Sequence, residues 1–574
     1  MKTLLRYLRP SARSMAFGLT IKVLATLLEL MLPYILSHIL DVIVPKHSVS
    51  LIFLWGGIML LCAVGAYFGN VIANRNAARV ARDTSGRLRH DLFDATMHLS
   101  ARKTDRFTIP SLESRLTSDT YNVHSFIGMM QRMGVRAPML LIGGMAITLF
   151  LDWRLALILL SVLPLIGLAV FAIARRGLPL YKKSQQAVDG MVRVVREDCQ
   201  GVRVVKALSR EEYEKERFDK ANLALIDAEH RAGVLMASSQ PVMSLLLHVG
   251  LSLVIGLGAI FVQGGLSAPG RIIAFMQYFT LMSTAMSVIT RIFAQYNKCM
   301  ASATRIEEVL CAAEREKTEK SPVTGVENAP HIVFENVTFS YNGRRNNLDN
   351  VSFSLPHGGT LGVIGATGSG KSTLIQLLMR FYDANEGRIL IDGCDIRDLD
   401  EKVLRSRFGV VMQNDFIYAD TVAENIRFGR DITDEQMHRA ARLAQAAEFI
   451  EKFPEGYEHL LTTKGTNVSG GQRQRLLIAR ALAGAPEILI LDDASSALDY
   501  RTDAALRRCL RENYRHTTTV VVAQRISSLR HADLILVLQD GRVIGAGNHS
   551  RLLSTCQEYR TIAQAQMGEQ EEVV

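Results

Sequence analysis

Eight consecutive residues carry the clearest chemistry in this chain: Gly365, Ala366, Thr367, Gly368, Ser369, Gly370, Lys371 and Ser372. Glycines at this spacing let a tight turn aim backbone N–H groups at phosphate oxygens. The lysine adds a positive charge, and the neighbouring hydroxyl can reach a divalent cation. For this to work, the turn must join a strand to a helix. Residues 360–364 (T-L-G-V-I) form an apolar run suited to a buried strand, and 373–381, opening at Thr373, have helical spacing without a breaker. A phosphate would then lie on a helix N-terminus. An ordinary glycine turn is the competing reading.

Further candidates follow downstream. The apolar strand 488–491 ends in Asp492 and Asp493, and a carboxylate at the end of a buried strand beside a phosphate loop is placed to hold Mg²⁺. Gln413 follows the apolar strand 410–412, where its amide can reach the same ion or a water. Val468, Ser469, Gly470, Gly471 and Gln472 open a helix and make a second anion site, which one phosphate ligand cannot share with the first. Ser496, Ala497, Leu498 and Asp499 follow a turn, and Gln524 ends the buried strand 519–523. Tyr341 closes the alternating strand 331–341, either to stack on a ring or simply to pack.

These groups all lie in the second half of the chain, and the first half is built differently. A membrane-crossing helix needs about 20 mostly apolar residues. Six stretches qualify: 15–43, 51–73, 126–151, 155–174, 234–262 and 272–293. Connections 44–50, 152–154 and 263–271 are short and nearly uncharged, whereas 74–125 and 175–233 are long, helical and basic. Arg75, Arg79, Arg82, Arg87 and Arg89 place the long connections, and with them both termini, in the cytoplasm. The formal net charge of +10 therefore reads as membrane orientation, and no groove-reading motif points to nucleic acid. Seven cysteines without metal-like spacing fit reduced thiols. The first ten residues suit an amphipathic helix on the inner membrane surface.

Polar residues inside apolar spans are costly and therefore informative. Glu29 lies near the middle of the first span, four residues before Pro33, and could meet a cationic substrate or a partner helix. Thr280, Thr284, Ser287 and Arg291 share one face of the sixth span, either lining a watery cavity or packing against another helix. Each long connection carries a break, at 108–111 and at 208–212, which could be a short docking helix or the tip of a solvated hairpin. The stretch 314–322 is charged and ends in a proline, where the membrane half stops.

The order Tyr341, G-A-T-G-S-G-K-S, Gln413, V-S-G-G-Q, I-L-I-L-D and S-A-L-D resembles an ABC-transporter nucleotide-binding domain. Six spans with two long projections resemble the membrane domain of an ABC exporter half-transporter, so the resemblance covers essentially the whole chain. It implies an all-α six-helix transmembrane domain at 1–318, a linker at 319–330, an α/β P-loop ATPase domain at 331–567 and an acidic tail at 568–574. It also implies that two halves pair head to tail. ATP would lie between the phosphate loop of one half and the S-G-G-Q turn of the other. In this reading Lys371 binds the β/γ-phosphates, Ser372, Gln413 and Asp492 hold Mg²⁺, and Tyr341 stacks on adenine. The breaks near Ile109 and Ser209 become coupling helices.

The chain departs from that pattern at three places. Asp493 stands where the family usually carries a water-polarising glutamate, and Gln524 stands where it carries a switch histidine. Thr462 and Thr463 replace a Gly-Glu pair ahead of the intact signature. The expectation is a weakly hydrolytic site in one half of a heterodimeric exporter of amphipathic or drug-like molecules, in a bacterial plasma membrane and in contact with lipid. A homodimeric lipid or peptide exporter, and an ATP-gated channel or regulatory subunit, are the alternatives.

Overall fold

The computed structural model describes residues 2–313, 329–413 and 415–567. Most of the expected linker and the acidic tail 568–574 lie outside these. Two compact units form, Met1–His98 with Phe107–Ala313, and Leu99–Arg106 with Glu314–Val574.

The first unit is helical. In chain order its helices are α1 (Lys2–Leu8), α2 (Ala12–His38), α3 (Val49–Met97), α4 (Ala101–Phe107), α5 (Ile109–Ser114), α6 (Thr120–Met129), α7 (Arg136–Leu151), α8 (Trp153–Ala207), α9 (Glu211–Ala237), α10 (Ser239–Gln263) and α11 (Pro269–Ala312). Among them α4 falls almost wholly in the second unit. Among the described residues, six helical segments are long and apolar enough to cross a membrane, as expected from the sequence. At 1.5 Å per residue, the 49 residues of α3 and the 55 of α8 far outrun a bilayer core of about 30 Å, so both continue beyond it as projections. The aromatic face of α11 packs inward through Phe275, Tyr278 and Phe279, all fully buried. The Tyr278 hydroxyl donates to the Leu30 carbonyl on α2 at 2.6 Å.

Two local expectations change. A short helix, α5, starts at the expected break of the first projection, with α4 just ahead of it and Thr108 at φ of 63° between the two. Among the described residues, the second projection has no short helix at its expected break. A three-residue turn joins α8 directly to α9, with Ser209 at φ of 51° absorbing the reversal. The fifth span starts at Ser239 rather than Val234, because the helix ahead of it ends at Ala237.

The second unit is α/β. Strands β1 (Ile332–Phe339), β2 (Leu348–Leu355), β4 (Glu386–Ile391) and β5 (Cys394–Asp395) form an antiparallel sheet in the order β2-β1-β4-β5. A second sheet runs β10-β9-β3-β8-β7-β6 and contains β3 (Thr360–Gly365), β6 (Phe408–Val411), β7 (Ile488–Asp492), β8 (Thr518–Val522), β9 (Leu534–Gln539) and β10 (Arg542–Gly547). Its four pairings from β9 to β6 are parallel, and the β9–β10 pairing is antiparallel. All five residues of β7 are buried, as a parallel strand covered on both faces requires. Register then decides the site: Val411 stands beside Leu491, Asp492 beside Val522, and Val363 beside Val522. The carboxyl ends of β3, β6, β7 and β8 therefore meet along one edge, where open parallel sheets bind their ligands.

Candidate functional site

That edge forms one pocket. Thr367, Gly368 and Gly370 line it from the loop after β3, Lys371, Ser372 and Thr373 from the first turn of the helix that follows, Gln413 from beyond β6, Asp492 from the end of β7, Asp493 from just past it, and Gln524 from beyond β8. Ten of the sequence-derived site residues thus converge although they span more than 150 positions.

The loop has the shape of a phosphate cradle. Gly368 and Gly370 adopt φ of 82° and 103°, which disfavours a side chain at either. A Cβ on Gly370 would also lie 2.5 Å from the Asn347 carbonyl oxygen. Gly365 and Ala366 sit behind the mouth, and their carbonyls accept bonds from Lys371 Nζ at 2.9 and 2.8 Å. Ser369 is buried, and its Oγ has no hydrogen-bond partner. Lys371 opens the Lys371–Leu378 helix, so the N–H groups of that first turn face the same space. Burial lowers the pKa of the Lys371 ammonium, with Asp492 and Asp493 opposing the shift.

The carboxylates form the opposite wall. Ser372 Oγ donates to Asp492 Oδ2 at 3.2 Å. Burial raises Asp492 above the ordinary carboxylate range against that bond, and Asp493 adds to the rise. Asp493 is raised in the same way, with Arg525 and Lys371 opposing. Two carboxyls uncomfortable as anions, beside a hydroxyl and the Gln413 amide, make a donor set of hard oxygens that fits Mg²⁺. Asp493 takes φ of 52°, held by its N–H to the Val522 carbonyl at 2.9 Å and its own carbonyl accepting from Ser496 Oγ at 2.9 Å. Aspartate tolerates this left-handed backbone better than most residues.

The signature turn lies elsewhere. None of Val468, Ser469, Gly470, Gly471 and Gln472 lines the pocket. Ser469 caps the Gly470–Ala483 helix in a capping box with Gln472, and its own surface is exposed. A Cβ on Gly471 would stand 3.1 Å from the Ala497 carbonyl, so the Ser496, Ala497, Leu498, Asp499 segment backs directly onto the turn. Asp499 caps the Tyr500–Asn513 helix, and bonds from Thr502 hold its carboxyl below the usual range. Thr462 bonds Thr466 and Asn467 in the approach to the signature.

Tyr341 stands beside the pocket rather than in its wall. Its hydroxyl lies 2.5 Å from Gln376 Oε1 and 3.3 Å from Thr373 Oγ1, and its ring meets Tyr382 edge-on at 5.0 Å. The Tyr382 hydroxyl in turn donates to Asp105 on α4, at 2.5 Å and within the same unit.

Several site residues left no trace in the sequence. Asn347 lines the pocket from the loop before β2. Gln566 brackets the end of β8, its Nε2 donating to the Gln524 carbonyl at 2.7 Å and its Oε1 accepting from Ile526 N–H at 2.8 Å. Arg525 lies over the Tyr500 ring at 5.1 Å. No motif marks these positions; a hydrophobic turn in the Gln557–Met567 helix that packs Tyr559 and Ala563 inward is the signal that would place Gln566.

In the membrane unit, Thr280, Thr284, Ser287 and Arg291 all lie on the face of α11 turned away from its buried aromatic side. The three hydroxyls satisfy themselves on carbonyls of their own helix, at 3.0, 3.0 and 3.3 Å. Glu29 pairs with Arg136 of α7 in a two-pronged contact of 2.6 and 3.2 Å.

Fold and site together define a multi-pass membrane protein that carries an ATP-hydrolysing domain. The chain belongs to the ABC transporter family, as an exporter half with its membrane region fused to its ATPase. The description "ABC transporter transmembrane region" matches residues 15–286 and "ABC transporter" matches 348–496. An uncharacterized ABC transporter ATP-binding protein of Mycobacterium tuberculosis is 35% identical over 98% of this chain and 97% of its own length. A fatty acid ABC transporter ATP-binding/permease protein of Mycobacterium bovis is 34% identical over 82% of this chain and 74% of its own. The solved structure of a bacterial Atm1-family ABC exporter with ATP bound shares the fold, with a TM-score of 0.81 and 24% identity over 98% of this chain and 99% of that one.

Proposed function

We propose that this chain is the ATP-holding half of a heterodimeric exporter of amphipathic molecules. The observation that carries the reading is the contrast between two places on one domain. In the pocket, Asp493 and Gln524 occupy the positions expected to activate water, and both suit that task poorly. The carboxylate of Asp493 is one methylene short of a glutamate, and a displacement of about 1 Å can cost on the order of a hundredfold in rate. Gln524 carries no positive charge for a γ-phosphate. Outside the pocket, Ser469 to Gln472 form a complete capped turn whose Ser469 and Gly470 are exposed. Such a turn completes the site of another chain.

In this reading Lys371 neutralises the β/γ-phosphates and the loop N–H groups fix their position. Ser372, Gln413 and Asp492 hold Mg²⁺, which screens phosphate charge when bound. Tyr341, oriented by its hydroxyl bonds, offers a ring edge or face to adenine. The termini face the cytoplasm, and α4 and the 208–210 turn transmit nucleotide-dependent movement. The exposed face of Thr280, Thr284, Ser287 and Arg291 lines the translocation path. The name of the Mycobacterium bovis relative supports an amphiphile as cargo.

The test is to purify the chain alone and with a co-expressed half that carries glutamate at the position matching Asp493. ATP turnover and uptake into inside-out vesicles are expected from the pair and not from the single chain. Robust ATPase and transport by the homodimer would overturn the heterodimer reading.

A further inference from the structure

The membrane unit buries more positive charge than it balances. Lys22 of α2 is 3% exposed, and its Nζ donates to Asn70 Oδ1 at 2.6 Å and Asn74 Oδ1 at 3.2 Å, both neutral acceptors on α3. Its ionisable neighbours are Glu29, Arg132 and Arg136. Glu29 is already engaged by Arg136 through both carboxylate oxygens. Arg132 is half-buried, folds back over Gly128, and has no carboxylate partner among the described residues. Three cations therefore share one carboxylate inside an apolar span, where uncompensated charge is expensive.

Two further observations point to what is missing. Gln131, 7% exposed, has an Nε2 donor with no hydrogen-bond partner. It lies with Arg132 in the π-helical segment Met130–Gly134 between α6 and α7, a distortion of the kind that often marks functional sites. The group is also reachable, since the Arg136 and Glu29 side chains keep 29% and 21% of their surface open. Unused donors and surplus positive charge together call for an anion. The apolar walls of the spans call for one attached to a hydrocarbon chain.

We propose that Lys22, Arg132 and Arg136, with the Gln131 amide, form a subsite for the anionic headgroup, carboxylate or phosphate, of a single-chain amphiphile. The proposal rests on the exporter reading above and names the charge of its cargo. Glu29 acts as the resident counter-ion, which the headgroup displaces from Arg136. This gives Glu29 and Arg136 opposite effects on binding, which a purely structural ion pair does not.

The experiment uses the full-length assembly in nanodiscs of zwitterionic lipid, with diazirine-bearing palmitate as the probe. The matching alkyl phosphate, methyl ester and alkyl-trimethylammonium compounds serve as comparisons, and label is read by peptide mapping without ATP. Saturable labelling of α2 and α7 by the two acids is expected. Arg136→Gln should lower it about tenfold, the worth of one charge-assisted hydrogen bond, and Glu29→Gln should raise it. If Arg136→Gln does not fold, Arg132→Gln, which breaks no ion pair, should give the same loss. Equal labelling by the ammonium probe, or a parallel loss in Glu29→Gln and Arg136→Gln, would overturn the proposal. Excess inorganic phosphate or acetate should not compete; full competition by either would mean a soluble anion and overturn the amphiphile. Because labelling is read without ATP, a failure of ATP-driven uptake would count against the exporter reading and not against this site.

Discussion

Ser372 Oγ and Asp492 Oδ2 lie 3.2 Å apart across the mouth of the pocket, one at the start of a helix and the other at the end of β7. The bond sets a hydroxyl and a carboxylate side by side, as two ligands of one small cation must be. Ser372→Ala and Asp492→Asn should each weaken Mg²⁺-dependent ATP binding by tenfold or more while leaving metal-free nucleotide binding nearly unchanged. Titration of a fluorescent ATP analogue with and without Mg²⁺ checks this. Because burial raises Asp492 and Asp493, Mg²⁺-dependent affinity should fall on acidification at a higher pH than ordinary carboxylates would give.

Asp493→Glu would restore the reach of a water-polarising carboxylate, but at a backbone φ of 52° that glutamate tolerates less well. The expected outcome is higher ATP turnover with coupled transport intact, together with a loss of roughly 1 kcal/mol in stability from the left-handed conformation. Turnover assays beside thermal melts of the assembled pair separate the two effects. Unchanged turnover would mean that Gln524, not Asp493, limits the site.

Gln566 reads like a rung of backbone pairing laid against the end of β8, satisfying one carbonyl and one N–H around Gln524 and Arg525. Two such bonds contribute about 1 kcal/mol each. Gln566→Leu should lower the melting temperature slightly and loosen the Gln524 segment. Hydrogen exchange should rise at Ile526 N–H, with little change at β3.

At the opposite end of the sheets, His331 is 1% exposed, with Nδ1 2.6 Å from Thr518 Oγ1 and its ring stacked on His357 at 4.1 Å. Burial pushes its pKa down to about 4 from 6.5, with Asp392 and Glu487 opposing and His357 and Arg407 assisting. The unfolded chain therefore takes up a proton that the native domain refuses. His331 adds no pH dependence well above 6.5, and stability is lost as pH falls from 6.5 towards 4. His331→Gln should flatten that part of the pH–melting curve even where it lowers the plateau. An unchanged slope would assign the acid sensitivity to other groups.

What the sequence determined by itself is what local rules govern. The glycine spacing from Gly365 to Gly370, the six apolar spans and the Ser469–Gln472 capping pattern each write their conformation into a few consecutive residues. Their positions could therefore be read directly. Tertiary structure decided everything that depends on register or on packing between distant segments. The parallel pairing of β3, β6, β7 and β8 gathers Gln413, Asp492 and Gln524 at one edge, whereas the signature turn is left outside it. Gln566, 42 residues beyond Gln524 in sequence, holds its backbone. Glu29 pairs with Arg136 of α7, and the second projection reverses in a three-residue turn between α8 and α9. Side-chain partners of this kind are set by which faces become buried together, and no stretch of sequence carries that information alone.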